Sequence, residues 1–134
     1  MRVGIGYDVH PLVAGRPLVL GGVQIDHRAG LDGHSDADVL THAIIDALLG
    51  AAGLGDIGRL FPASDARYKE ASSLDMLATA VKAVTDAGYR LVNVDCTVIA
   101  QEPRLSPHLS AMCGKLAEQL RTHNVNVKGK SPEG

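Results

Sequence analysis

Between Val39 and Leu49 the chain has almost no polar face. Val39, Leu40, Ala43, Ile44, Ile45, Ala47, Leu48 and Leu49 occupy most of the surface a helix would offer, and the polar remainder is Asp38, Thr41, His42 and Asp46. Asp38, His42 and Asp46 follow at i, i+4 and i+8, which puts them in one narrow stripe on an otherwise apolar rod. Such a helix is stable only when it is covered on most sides, and that requirement shapes everything around it. The pattern predicts a helix from Asp36 to about Gly50. Ser35 is the predicted N-cap, and Asp36 and Asp38 fall in the first turn, where carboxylates suit the helix dipole. His42 needs a partner there, because an unpaired imidazole out of water is costly. It is either a core histidine satisfied by Asp38 or Asp46 on its own helix, or one side of a site completed by another segment.

The cover must be aliphatic, since aromatic residues make up only 3% of the 134 residues. Residues 2–9 alternate Val3, Ile5, Tyr7 and Val9 with Gly4, Gly6, Asp8 and, at the end, His10, before Pro11 stops the pattern. Alternation of period two predicts a strand with one apolar face. Residues 17–25 read as two short strands around Gly21-Gly22, a hairpin signal. Residues 26–34 read as a polar, glycine-containing loop. Ser72 or Ser73 opens a second helix that runs to Gly88. Residues 91–100 make a strong strand, Ser106-Pro107 a cap-plus-first-turn pair opening a helix to about Arg121, and residues 125–130 a last strand. Strands alternating with helices through one unit spanning residues 1–134 imply a sheet covered by helices, without fixing the strand order.

A net charge of −2 with no run of Lys or Arg argues against nucleic acid and against an anionic membrane surface. No apolar stretch reaches membrane-spanning length, and residue 2 onward reads directly as a strand rather than a signal peptide, so a cytoplasmic location is expected. Cys96 alternates with Val94 and Val98 and reads as a reduced core thiol. Cys96 and Cys113 lack metal-type spacing.

Asp8 and His10 stand at i and i+2, so a strand presents them on one face as an oxygen and a nitrogen donor. If His42 packs against that end, one carboxylate and two imidazoles form a three-ligand site suited to zinc with an open fourth position. The competing reading is a strand end facing solvent. Gly4 and Gly6 leave the same face free for close approach. Residues 53–58 match G-x-G-x-x-G as text, but a helix precedes them where the dinucleotide fingerprint needs a strand, and that reading is rejected. Asp56 there either accepts hydrogen bonds from a ligand's hydroxyls or closes an Asx-type turn.

DVHP at 8–11, GHSDADVLTHAIIDALLGAAGLGDIGRLFP at 33–62 and NVDCTVIAQEPRLSPH at 93–108 together closely resemble the 2-C-methyl-D-erythritol 2,4-cyclodiphosphate synthase family, over essentially the whole chain and in order. The resemblance implies an α+β fold: a mixed four-stranded sheet with helices packed on one face, three protomers around a central axis, and active sites between neighbours. It implies a cyclase that takes 4-diphosphocytidyl-2-C-methyl-D-erythritol 2-phosphate, drives the 2-phosphate oxygen onto the β-phosphorus and releases CMP. Asp8, His10 and His42 match the ligands of Zn2+ or another divalent cation. Glu133 matches the glutamate that holds a second ion, Mg2+ or Mn2+, bridging the phosphates. His34 and Ser131 match the positions credited with transition-state stabilisation. Asp8, Val9, His10, His34, Ser35, Asp56, Ile57 and Gly58 match positions around the methylerythritol phosphate, and Phe61, Pro62, Ala63, Ser64 and Asp65 line the site. Ala100, Gln101, Glu102, Pro103, Arg104, Leu105 and Ser106 match the cytosine loop; read alone, Pro103 and Pro107 simply make a rigid crossover. The central axis of such trimers can hold an isoprenoid diphosphate.

Two departures stand out. The family's T-T-E-like segment is Lys130, Ser131, Pro132 and Glu133 here, which keeps a hydroxyl but loses a backbone N–H at the proline. Relatives also continue past this point with a phosphate-binding arginine and a final strand, so a C-terminal segment is expected beyond Gly134. Two other functions fit the same residues: a zinc phosphohydrolase that activates water, and a non-catalytic module that binds metal or isoprenoid.

Overall fold

The computed structural model describes residues 1–68 and 71–132. In chain order the elements are β1 Leu12–Ala14, β2 Leu18–Leu20, β3 Val23–Ile25, β4 Ala29–Leu31, α1 Val39–Ala52, α2 Ile57–Leu60, α3 Ser73–Asp86, β5 Val94–Ile99, α4 Leu109–Leu120 and β6 Val125–Lys130. The fold is α+β, and α1 is its central rod. Ile45 and Leu49 of α1, Leu77 and Ala80 of α3, and Met112 and Leu116 of α4 are essentially inaccessible, and the three helices share one core. At the other side of that core lie Cys96, Val98 and Val127 of the parallel pair β5–β6, whose register runs from Val94↔Val125 to Ile99↔Lys130. Burial pushes the Cys96 thiol up to about 11, so it is an inert core thiol as expected.

Helix α1 starts later than the sequence predicts, and its cap is Asp38 rather than Ser35. Ser35 and Ala37 hold φ of 58° and 55°, left-handed backbone from which a helix cannot be launched. The Asp38 side chain is wholly buried, and its two oxygens accept from Gly21 N (2.9 Å), Gly22 N (2.8 Å), Thr41 N (3.1 Å) and Thr41 Oγ1 (2.7 Å). Burial raises its carboxyl above the ordinary range while these donors pull it down. One carboxylate thus caps α1 and ties to it the turn of the β2–β3 hairpin, whose Gly21 and Gly22 have φ of 57° and 76°. Asp38→Ala leaves those N–H groups buried and unpaired. It is expected to cost about 3 kcal/mol in urea unfolding, and a change below about 0.5 kcal/mol would contradict this role.

Three other expectations need correction. Residues 2–9 form no hydrogen-bonded ladder among the described residues; they run extended along α1 with Val3, Ile5, Tyr7 and Val9 outward. Residues 26–34 are not simply loop, because Ala29–Leu31 pairs antiparallel with Leu12–Ala14. Pro11 hid that pairing, which encloses the β2–β3 hairpin, by ending the apolar alternation just before β1 begins. Ser106 caps nothing: Ser106–His108 is a 3₁₀ turn that leads into α4. Likewise Ser72 precedes α3 without a side-chain cap bond, and Gly88, at φ 93°, follows the helix as expected. Among the described residues the paired strands fall into three two-stranded sheets, β1–β4, β2–β3 and β5–β6.

Candidate metal centre

The glycines of the N-terminal segment explain how its polar residues reach α1. A Cβ on Gly4 would lie 1.9 Å from the Ala47 carbonyl oxygen, and one on Gly6 would lie 1.8 Å from that of Ala43. The segment therefore rests on helix backbone, along a flat strip made by Ala43, Ala47 and Ala51 at helical spacing. Two residues on, the same inward face carries Asp8, then His10, to His42 on the first turn of α1.

The three side chains converge. His10 Nε2 lies 2.9 Å from Asp8 Oδ2, His42 Nδ1 lies 3.5 Å from the same oxygen, and one donor atom from each residue falls within 4.8 Å of the others. The rings meet edge to face at 5.7 Å between centroids. His42 is buried, whereas Asp8 and His10 are half-buried, so the cluster opens on one side. Asp8 is steadied through its other oxygen, which accepts from Val9 N at 2.9 Å.

The outer bonds decide which ring nitrogens are free. His10 Nδ1 lies 2.7 Å from the Asp32 carbonyl oxygen, which can only accept, so Nδ1 carries the hydrogen. The neutral ring then turns a bare Nε2 lone pair on the Asp8 carboxylate, acceptor against acceptor. Only a cation between them, a second proton or a metal ion, resolves that conflict. The donor set of one carboxylate and two imidazoles fits a divalent cation with an open position. Burial depresses the pKa of His42 below 6.5, opposed by the charges of Asp38, Asp8 and Asp36 and aided by that of His10. The neutral, ligating form is therefore favoured. With no metal present, His42 is expected to titrate below 6.5 by NMR. The stability it contributes is present above pH 6.5 and lost as pH falls through the lowered value; a midpoint at or above 6.5 would contradict this.

Neither Asp38 nor Asp46 satisfies the His42 ring. Asp38 serves the hairpin turn, and Asp46 accepts from Ile57 N at 2.8 Å. The ring's Nε2 instead faces Ser73 Oγ at 2.8 Å and Ser35 Oγ at 3.2 Å. Sequence reasoning placed Ser73 only as a helix-opening residue and did not reach the Asp32 carbonyl; a serine beside a capping position signals nothing more, and a backbone carbonyl carries no signal at all.

Of the other expected site residues, Ser35 is buried against His42 and His34 is exposed beside it, in a groove that also takes in Arg16, Asp32 and Asp36. Asp56 caps α2 by accepting from Arg59 N at 2.9 Å, the turn-closing alternative, with Ile57 half-buried and Gly58 exposed. Phe61 is a core residue packed edge to face on Tyr68, Pro62, Ala63 and Ser64 are exposed, and Asp65 pairs with Arg67 at 2.7 Å. In the 100–106 loop Leu105 is buried, Glu102 pairs with Arg28, and Ala100 N donates to Lys130 O at 2.9 Å, which joins this loop to the exposed Lys130, Ser131 and Pro132. Glu133 lies outside the described residues. Among the described residues, none of the side chains at 56–65, 100–106 or 130–132 hydrogen-bonds to Asp8, His10 or His42.

A family model described as the YgbB family matches residues 1–134. The chain belongs to the YgbB family. Relatives named 2-C-methyl-D-erythritol 2,4-cyclodiphosphate synthase include one from Clostridium botulinum strain Okra, 53% identical over 136 residues covering all of this chain and 88% of the relative. One from Bordetella petrii is 57% identical over 135 residues, covering 99% and 83%. A solved 2C-methyl-D-erythritol-2,4-cyclodiphosphate synthase in its CDP-bound form superposes with a TM-score of 0.93 at 38% identity, covering 99% of this chain and 90% of that one. The chain also matches the bifunctional IspDF from Campylobacter jejuni, with a TM-score of 0.94 at 45% identity, spanning 98% of this chain and 36% of that protein. The Asp8–His10–His42 cluster thus sits in a fold shared with a solved cyclodiphosphate synthase in its CDP-bound form.

Proposed function

We propose that this chain is a metal-dependent cyclase that converts 4-diphosphocytidyl-2-C-methyl-D-erythritol 2-phosphate to 2-C-methyl-D-erythritol 2,4-cyclodiphosphate and CMP. The single observation that carries the reading is the convergence of Asp8, His10 and His42, one donor atom of each within 4.8 Å of the others, in a YgbB-family chain. When bound, an ion such as Zn2+ supplies Lewis acidity, drawing charge from a phosphoryl oxygen of the diphosphate. The protein's remaining work is positioning, because nucleophile and leaving group belong to one substrate: the 2-phosphate oxygen forms a bond to the β-phosphorus as the bond to the CMP oxygen breaks. In this reading His34 and Ser131 stabilise the developing charge, and Glu133 holds a second ion, Mg2+ or Mn2+. Ser35, Asp56, Ile57 and Gly58 hold the methylerythritol phosphate beside residues 61–65. The Ala100–Ser106 loop reads cytosine through its backbone.

The exposed surface supports assembly. Val3, Ile5, Tyr7 and Val9 are 70–91% exposed in the single chain, and Ile99 of β5 is 66% exposed. Burying each would contribute roughly 1.5–3 kcal/mol, so an apolar face this wide calls for cover. The reading covers it with two further copies around an axis, whose centre could hold an isoprenoid diphosphate, and the neighbouring copies complete each site. A long groove also lies between residues 1–6 and 89–97 with α1 as its floor. No helix of the described residues is long and apolar enough to cross a membrane, and the reading places the enzyme in the cytoplasm.

The test is product analysis by phosphorus NMR and mass spectrometry with substrate, zinc and magnesium. CMP together with a cyclic diphosphate supports the cyclase. An opened phosphate would replace it with the phosphohydrolase, and metal binding without turnover would leave a binding module.

A further inference from the structure

The outer nitrogen of His42 is held by Ser73 and, behind it, Asp36, two residues to which the cyclase reading gives no part. Ser73 Oγ is fully buried and lies 2.8 Å from His42 Nε2. The same hydroxyl donates to Asp36 Oδ1, and Ser73 N donates to Asp36 Oδ2 at 3.0 Å. Asp36 can only accept when ionised, so the hydroxyl proton of Ser73 is committed to it. What Ser73 then offers His42 is a lone pair, and Nε2 must carry the ring's hydrogen. The ring's Nδ1 is left bare, and Nδ1 is the atom that faces Asp8. Ser35 Oγ stands 3.2 Å from both His42 Nε2 and Ser73 Oγ and 3.5 Å from Asp36 Oδ1, so it closes the group without setting its direction.

We propose that Ser73, oriented by Asp36, is the positioning residue that fixes the tautomer and ring angle of His42 and so presents Nδ1 to the metal. The inference rests on the metal reading of Asp8, His10 and His42. A capping role does not account for the hydroxyl: Ser72 is the residue before α3, and the Ser73 side chain bonds to His42 and Asp36 rather than to its own helix. Ser73 N–H, one of the donors left over at the start of α3, is already taken by Asp36. The arrangement couples the ligand on α1 to the first residue of α3 and to the loop at 33–37, where Ser35 and Asp36 sit. Outer partners of metal-bound imidazoles commonly change metal affinity by about 10–100-fold.

The experiment measures Zn2+ affinity by chelator competition and the visible spectrum of the Co2+-loaded protein for the wild type, Ser73→Ala, Ser73→Thr and His42→Ala. Ser73→Ala is expected to weaken zinc by about 10–100-fold and to shift the cobalt bands, and Ser73→Thr, which keeps the hydroxyl, to restore both. Imidazole nitrogen shifts of the metal-free wild type, which need no substitution, should report hydrogen on Nε2 of His42. A Ser73→Ala protein with wild-type zinc affinity and an unaltered cobalt spectrum, or hydrogen on Nδ1 in the wild type, would overturn the proposal. If the wild type and Ser73→Ala bind zinc equally while His42→Ala does not, the metal reading survives and only the role of Ser73 falls. A wild type that binds no ion overturns both.

Discussion

His42→Ala should strip the metal and turnover together while the fold persists. The wild type should hold one zinc per chain at this cluster. The variant keeps Asp8 and His10, both half-buried on the segment that rests on α1, and two ligands of that kind do not retain zinc against a chelator. Losing the main source of phosphoryl charge stabilisation should lower turnover by on the order of 10³-fold or more. The core is a different matter. Ile44, Ile45, Leu48 and Leu49 keep α1 buried, so the unfolding transition should remain cooperative and the assembly mass unchanged. Metal analysis, product release and sedimentation read the three effects separately. Unchanged turnover would refute the assignment of the ligands.

Gly6→Val should abolish metal binding without touching a ligand. The new Cβ would sit 1.8 Å from the Ala43 carbonyl oxygen, 2.8 Å from its carbonyl carbon and 2.9 Å from Ala47 N. All three are helix backbone, locked by the packing of α1, and cannot yield. The N-terminal segment has to lift, and it takes Asp8 and His10 with it. Zinc affinity should fall by more than about 100-fold, beyond what losing an outer partner does. Gly50→Ala is the matched control on α1, because a Cβ there meets nothing within 4 Å. It should bind zinc as the wild type does and gain up to about 1 kcal/mol from helix propensity. A Gly6→Val protein with wild-type zinc affinity would show that the glycines do not set the approach.

These glycines also mark how far the sequence could be read. The alternation of Gly4 and Gly6 with Val3 and Ile5 gave the extended conformation and the inward side of Asp8 and His10, because side-chain direction in extended chain is a local property. Whether such a segment pairs with another strand depends on what lies beside it, and nothing local tells a ladder from a ribbon lying on a helix. For the same reason β1 and β4 escaped notice: three residues each, one holding Gly30, are held by their register rather than by their propensity. Helix α1 was plain from its apolar run, but its cap was not. Ser35 has the better local spacing, and Asp38 wins because a tertiary contact with Gly21 and Gly22 satisfies it. The meeting of His42 with Asp8 spans more than thirty residues, so no spacing rule ties the two, and what began as a conditional three-ligand set became a definite one only through family likeness. Ser73 lay further still from view, since its bond to His42 crosses from α3 to α1.

The central claim is that Asp8, His10 and His42 share one cation whose open position accepts a phosphate oxygen. Its most direct test is an anomalous difference map at the zinc edge from crystals grown with zinc and a cytidine diphosphate. The expected result is one peak per chain about 2.0–2.2 Å from an Asp8 carboxylate oxygen, His10 Nε2 and His42 Nδ1, with a phosphate oxygen as the fourth ligand. A map with no peak among these three side chains, or a peak whose fourth position is filled by a further protein side chain, would contradict it.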